Sequence, residues 1–196
     1  MASLPQCRLL ECAKHFSISV TDLVVMAASC LIFMGSFHLN QYFDSYMLYA
    51  PGVSLIFLPA GIKLLAILVG RFPAIVGLYM ASVYMSTKVW HDLQMVSLYL
   101  FAAASVFSYA IVAYVVLKLA GVLHDLNNLR YHHIVLLSLT ASVLNGVIHG
   151  LAYSMAGVAA ADVQWVTSAA MALGDFLGCL AIVSVFHVTT LMFKKV

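Results

Sequence analysis

The chain has 196 residues, of which 64% are hydrophobic and 8% charged, with a formal charge of +2 and a mean hydropathy of +1.05. Soluble domains carry about 25% charged residues, so an ordinary soluble domain is excluded. The small charge, with no basic cluster interleaved with aromatics, excludes a nucleic-acid partner and leaves membrane lipid as the expected surroundings.

Residues 1–19 read as a cytoplasmic N-terminal segment. Cys7, Arg8, Glu11, Lys14 and His15 interrupt any apolar core of a signal peptide, while Leu9, Leu10, Ala13 and Phe16 form one face of a short interfacial helix. Six apolar spans follow, at about 20–39, 51–69, 73–88, 94–117, 132–157 and 165–191. The predicted fold class is therefore all-α: one polytopic membrane helix bundle over 1–196, with six transmembrane helices. Leu58-Pro59-Ala60-Gly61-Ile62-Lys63 places a helix breaker, a glycine and an amine near the middle of the second span. Pro59 removes a backbone donor and Gly61 loosens the chain, so this span is expected to be interrupted at Pro59–Gly61 and to face protein or a wet cavity. Gly70-Arg71-Phe72-Pro73 then joins spans two and three as a tight antiparallel hairpin.

Basic residues orient the bundle. With the N-terminus inside, Arg8, Lys14, Arg71, Lys118, Arg130, Lys194 and Lys195 are cytoplasmic and Lys88 stands alone outside. Both termini are then cytoplasmic. Tyr42, Phe43, Tyr46, Tyr49, Trp90 and Trp165 fall at the outer interface, and Tyr131 and Phe193 at the inner one.

In that arrangement Lys63, Asn145, His149 and Asp175 lie at one level, roughly 12–18 Å below the outer surface at 1.5 Å per residue. Ser138, Ser142, Asn145, His149 and Tyr153 recur at helical spacing and share a face of span five, with Gly146 and Gly150 beside them to admit a close neighbour. Ser168, Asp175 and Cys179 share a face of span six, where Gly174 and Gly178 form a small-x-x-x-small strip. Ionisable groups in hydrocarbon are costly and mark functional sites by default. The expected ligand-binding residues are Pro59, Gly61, Lys63, Asn145, His149 and Asp175. The helix restarting after Gly61 would present free N–H groups and a positive dipole end to an anion, Lys63 would add a full charge, and Asp175 would neutralise Lys63 or hold a ligand amine. His149 would exchange protons. The plain alternative makes Lys63 and Asp175 a stabilising pair and His149 a packing residue.

Two motifs resemble a known family. Phe57-Leu58-Pro59-Ala60-Gly61-Ile62, followed by Gly70 and Pro73-Ala74-Ile75, resembles the hairpin motif of the membrane-associated sensor domain of the first MASE type. Gly174-Asp175-Phe176-Leu177-Gly178-Cys179-Leu180 resembles that family's Gly-Asp-x-x-Gly-x-Leu run in a late span. The two cover about a third of the chain. The family shows about eight spans, a neutral residue at the position of Lys63, and an output module such as a diguanylate cyclase or histidine kinase, none of which follows Val196. The resemblance thus implies a stand-alone sensory domain of the bacterial inner membrane that signals through a protein partner.

The leading expectation is a sensory, ligand-binding membrane domain with a small, anionic ligand. The alternative is the substrate-binding subunit of a small-solute transporter, with the 118–131 loop as a docking site for its partner. A haem carrier would need His187 with His132 or His133 at matched depth, and His132, His133, His124 and Asp125 are the nearest approach to a metal site. No cofactor and no metal are expected: Cys7, Cys12, Cys30 and Cys179 have no ligand spacing. No enzyme is expected either, since no nucleophile–base set, His-Glu-x-x-His or Gly-rich phosphate loop is present.

Overall fold

The computed structural model describes residues 18–123, 126–158 and 164–193, excepting the side chains of 187, 188 and 190–193. The interfacial N-terminal segment, Cys7, Cys12, His124, Asp125, the His187 side chain, Lys194 and Lys195 lie outside the described residues.

Helix α1 (Val20–Met47) starts where Ser19 caps it: the Asp22 N–H donates to Ser19 Oγ at 3.1 Å, and the Ser19 N–H donates back to the Asp22 carboxylate at 2.9 Å. Its buried side is narrow, with Ser29, Phe33 and Asn40. Leu23, Val24, Leu31, Ile32 and Leu39 stay exposed, the pattern of a helix whose outer side meets lipid.

The chain then forms a small antiparallel hairpin, β1 (Leu48–Ala50) and β2 (Val53–Ser54), pairing Leu48 with Ser54 and Ala50 with Val53. Pro51-Gly52 makes its turn, with Gly52 at φ +75°, the position where a type II turn demands glycine. The expected second span therefore does not begin at Pro51.

It begins at Leu58, the first residue of α2 (Leu58–Val89). The interruption expected at Pro59–Gly61 is corrected: Pro59 occupies the first turn, where a missing N–H costs nothing and a fixed φ suits the helix. The non-helical residue inside α2 is Arg71, at φ 52° and ψ −133°. A straight helix of 32 residues would be about 48 Å long. Instead a Cβ placed on Gly52 would lie 3.2 Å from Trp90 and 3.5 Å from Val89, so the far end of α2 returns to the hairpin that precedes it. The chain turns back at Arg71, and α2 comprises two arms, 58–70 and 72–89.

Helices α3 (Met95–Leu119), α4 (Tyr131–Met155) and α5 (Gln164–Phe193) complete the bundle. Among the described residues five helices are long and apolar enough to cross a membrane, the fifth counted over Gln164–Phe186. The chain is thus an all-helical, multi-pass membrane protein by composition and length. Helix α2 packs against α1, α3 and α5, and α4 against α3 and α5, so the interior is enclosed by α2 to α5, with α1 on the flank.

Lipid tails are as apolar as the core, so close backbone approach must supply what water supplies in soluble folds. The Gly146–Gly150 side of α4 receives Ser168 and Ala172 of α5. The Gly174–Gly178 strip receives something other than a helix. The carbonyls of Ser54 and Phe57 lie where Cβ atoms would stand, and the Phe57 N–H donates to the Gly174 carbonyl at 2.9 Å. Irregular backbone inside a bundle is stable when protein covers it in this way.

Candidate functional site: a polar cavity inside the bundle

A cavity of about 470 Å³ opens beside the hairpin. Pro51, Gly52 and Trp90 lie at its hairpin end, Phe33, Phe37 and Phe57 contribute apolar wall, and Lys63, Asn145, His149 and Asp175 reach it from three helices. The residues singled out by depth in the sequence thus border one space.

Lys63 is 1% exposed. Its ammonium donates to Ser105 Oγ at 2.6 Å and to the Ser105 carbonyl at 3.3 Å, and lies 4.6 Å from the centre of the Tyr109 ring and 5.7 Å from that of Phe57. Such faces attract a cation most where water is absent. Asp175, 2% exposed, accepts on Oδ2 from the Tyr109 hydroxyl at 3.0 Å and from Asn145 Nδ2 at 2.6 Å. Asn145 is held in turn by Ser108, whose hydroxyl donates to its Oδ1 at 3.0 Å. The two charges are therefore joined through Tyr109, whose ring takes the ammonium and whose hydroxyl takes the carboxylate.

His149 has Nδ1 3.1 Å from the Asn145 carbonyl one turn back. A carbonyl only accepts, so that nitrogen carries the proton. Its ring packs at 5.6 Å from Tyr153 and 6.5 Å from Phe101, and Trp90 joins the same aromatic group at 5.4 Å from Tyr153. Ser82 also borders the cavity; its hydroxyl is buried and has no hydrogen-bond partner.

Comparison with protein-family models, with curated proteins and with solved structures finds no match. The chemistry of the cavity is therefore read from its own residues.

Pro59 and Gly61 do not border the cavity. The helix does not restart after Gly61, so the free N–H groups expected there are not presented; at the start that α2 does have, Leu58 donates to Asn40 Oδ1 at 2.8 Å and Ala60 to the Phe57 carbonyl at 3.0 Å. Gly61 serves a helix contact, since a Cβ there would lie 2.6 Å from Ile182 Cβ and 2.9 Å from the Gly178 carbonyl. The dipole end of α2 is thus closed by α1.

Several participants were not singled out in the sequence. Ser105, Ser108 and Tyr109 stand at i, i+3 and i+4, one helical face of α3 at the depth of Lys63, and that spacing was a usable signal. Asn40, which also donates to Asp44 at 2.9 Å, falls just past the expected end of span one. Among the described residues no group of three or more His, Cys, Asp or Glu is arranged to hold a metal. The rings of His132 and His133 meet edge to face, 4.1 Å between centres.

Proposed function

We propose that this chain is an integral membrane sensory domain that binds a small anionic molecule in the cavity walled by the hairpin and helices α1 to α5, and that it passes occupancy to a protein partner. The observation that carries the reading is the Lys63 ammonium: a buried cation bordering a cavity large enough for a small organic molecule, held by the hydroxyl and carbonyl of one residue, Ser105. An ammonium has three donors, so an incoming carboxylate has a proton to receive. Phe33, Phe37 and Phe57 suit an apolar body, and the Ser82 hydroxyl offers a further polar contact.

In this reading the two arms of α2 count as separate spans, giving six, with the hairpin end outside and both termini in the cytoplasm. The excess of Arg and Lys at the opposite end supports that orientation. The two motifs at 57–75 and 174–180 support placing the chain beside the first-type MASE sensor domains of bacterial inner membranes. They also lie on the elements that build the cavity.

Trp90 provides the test. Saturable quenching of its fluorescence by a member of a panel of small carboxylates is expected for the full chain in detergent, and loss of that response in Lys63→Met with the unfolding temperature still measurable. Mass spectrometry of molecules retained through purification identifies the natural ligand. Absence of any saturable response overturns the binding reading. Stoichiometric co-purification of an ATP-hydrolysing protein would instead favour the solute-uptake alternative.

A further inference from the structure

We propose that the guest of the polar cavity is a zwitterion, an ω-amino acid whose carboxylate meets Lys63 and whose ammonium meets Asp44. This inference rests on the reading that a carboxylate meets Lys63, and it names the other end of the molecule. Phe33, Phe37, Gln41 and Asp44 recur at spacings of 4, 4 and 3, so they share one face of α1, and all four line the cavity. Among the described residues the Asp44 carboxylate receives one donor, Asn40 Nδ2 at 2.9 Å, and no cation pairs with it. The acidic and basic side chains lining the cavity, His149 aside, are Lys63, Asp175 and Asp44. Lys63 and Asp175 already answer each other through Tyr109. Asp44 is the charge left over.

That surplus selects a ligand class. A plain carboxylate on Lys63 would add a second negative charge to a cavity that already holds an unanswered one. A guest that also carries an ammonium restores the balance, and a charged hydrogen bond to Asp44 is stronger than a neutral one. The two poles stand apart. Helix α1 and the first arm of α2 run antiparallel: Asn40 accepts from the Leu58 N–H, while a Cβ on Gly70 would lie 2.7 Å from Val25. Asp44 is four residues from Asn40 toward the hairpin, and Lys63 is five residues from Leu58 away from it, so their backbones lie about 13 Å apart along the bundle at 1.5 Å per residue. Each side chain leans toward the other, the carboxylate to Asn40 and the ammonium to within 5.7 Å of the Phe57 ring centre. An α-amino acid carries both charges on one carbon and cannot reach both poles. A chain of several methylenes can, and Phe33, Phe37 and Phe57 give it apolar wall on the way.

The test is calorimetric titration of the full chain in detergent with matched pairs: glycine and acetate, 4-aminobutanoate and butanoate, 6-aminohexanoate and hexanoate. The amino group should tighten binding about tenfold in the longest pair, the contribution of one charged hydrogen bond, and not at all in the shortest. Asp44→Asn should abolish that gain, so that 6-aminohexanoate binds no better than hexanoate, and Asp44→Glu should keep it. Unfolding temperatures establish that each variant is folded. Equal affinity within every pair overturns the proposal while leaving the carboxylate reading intact, as does a gain that survives in Asp44→Asn. A gain of the same size for glycine over acetate also overturns it, since the ammonium would then lie beside Lys63 and not across the cavity. Saturable binding of none of the six compounds overturns the proposal together with the reading on which it rests.

Discussion

Tyr109 is the residue through which two buried charges tolerate each other. Replacing it by Phe keeps the ring under the Lys63 ammonium but removes the hydroxyl from Asp175. Intramembrane hydrogen bonds average well under 1 kcal/mol and those to charged groups are stronger, so Tyr109→Phe should cost about 1 kcal/mol in reversible unfolding in mixed micelles. Lys63→Met leaves a carboxylate without its counter-charge and should cost about 3 kcal/mol. Adding Asp175→Asn should recover part of that loss. Strict additivity would show that the two groups do not interact. Lys63, Asn145, His149 and Asp175 were legible in the sequence because polar groups are rare at mid-membrane depth and each could be placed by counting from a span end. Ser105 and Ser108 were harder to see, since hydroxyls bond their own helix carbonyls in any span. Tyr109 escaped because an aromatic in an apolar run reads as bulk.

At the scale of elements, α2 contains the clearest departure from what its residues announced. Proline and glycine inside an apolar run signal a break, but the same residues signal a start when a turn precedes them, and Pro51-Gly52 is that turn. Which of the two applies depends on Asn40, eighteen residues earlier, whose side chain caps Leu58. Local pattern does not report so distant a partner. Two expectations distinguish the readings. Pro59→Ala should change stability by less than about 1 kcal/mol, because a first-turn position needs no proline, whereas Asn40→Ala should cost about 1–2 kcal/mol through loss of the cap. Gly70–Pro73 was expected to join two spans; the structure keeps it within α2 and puts the strain of the kink on Arg71. Arg71→Gly should relieve that strain, by about 1 kcal/mol in reversible unfolding. Gly174→Ala is the severe substitution here. Its Cβ would occupy the place of the Ser54 carbonyl, and thermal unfolding should fall by the equivalent of about 2 kcal/mol or more.

The whole molecule is a bundle whose composition fixed its class from the start, and the proposed direction across the membrane rests on the arrangement of its basic residues. Single cysteines at Asp92 and Leu123, introduced after removal of the native thiols, should react with an impermeant maleimide from opposite sides of the membrane, Asp92 from outside. Labelling of both from one side would sink the six-span orientation. Neighbour relations among helices were less legible than their number and lengths. In hydrocarbon, any apolar side can face lipid or a partner at similar cost, and only Lys63 with the glycines and polar stripes of α4 and α5 announced an interior.

The short irregular run from Ser54 to Phe57 rests on two glycines with no side chain cushioning it, and its last residue is also a wall of the cavity. A guest pushing Phe57 aside would lever bare backbone against α5 and drag the start of α2 along with it. Displacement of a fraction of an ångström at the ring would then surface as a sideways slip of the first arm of α2 against α5, carried toward the turn at Arg71.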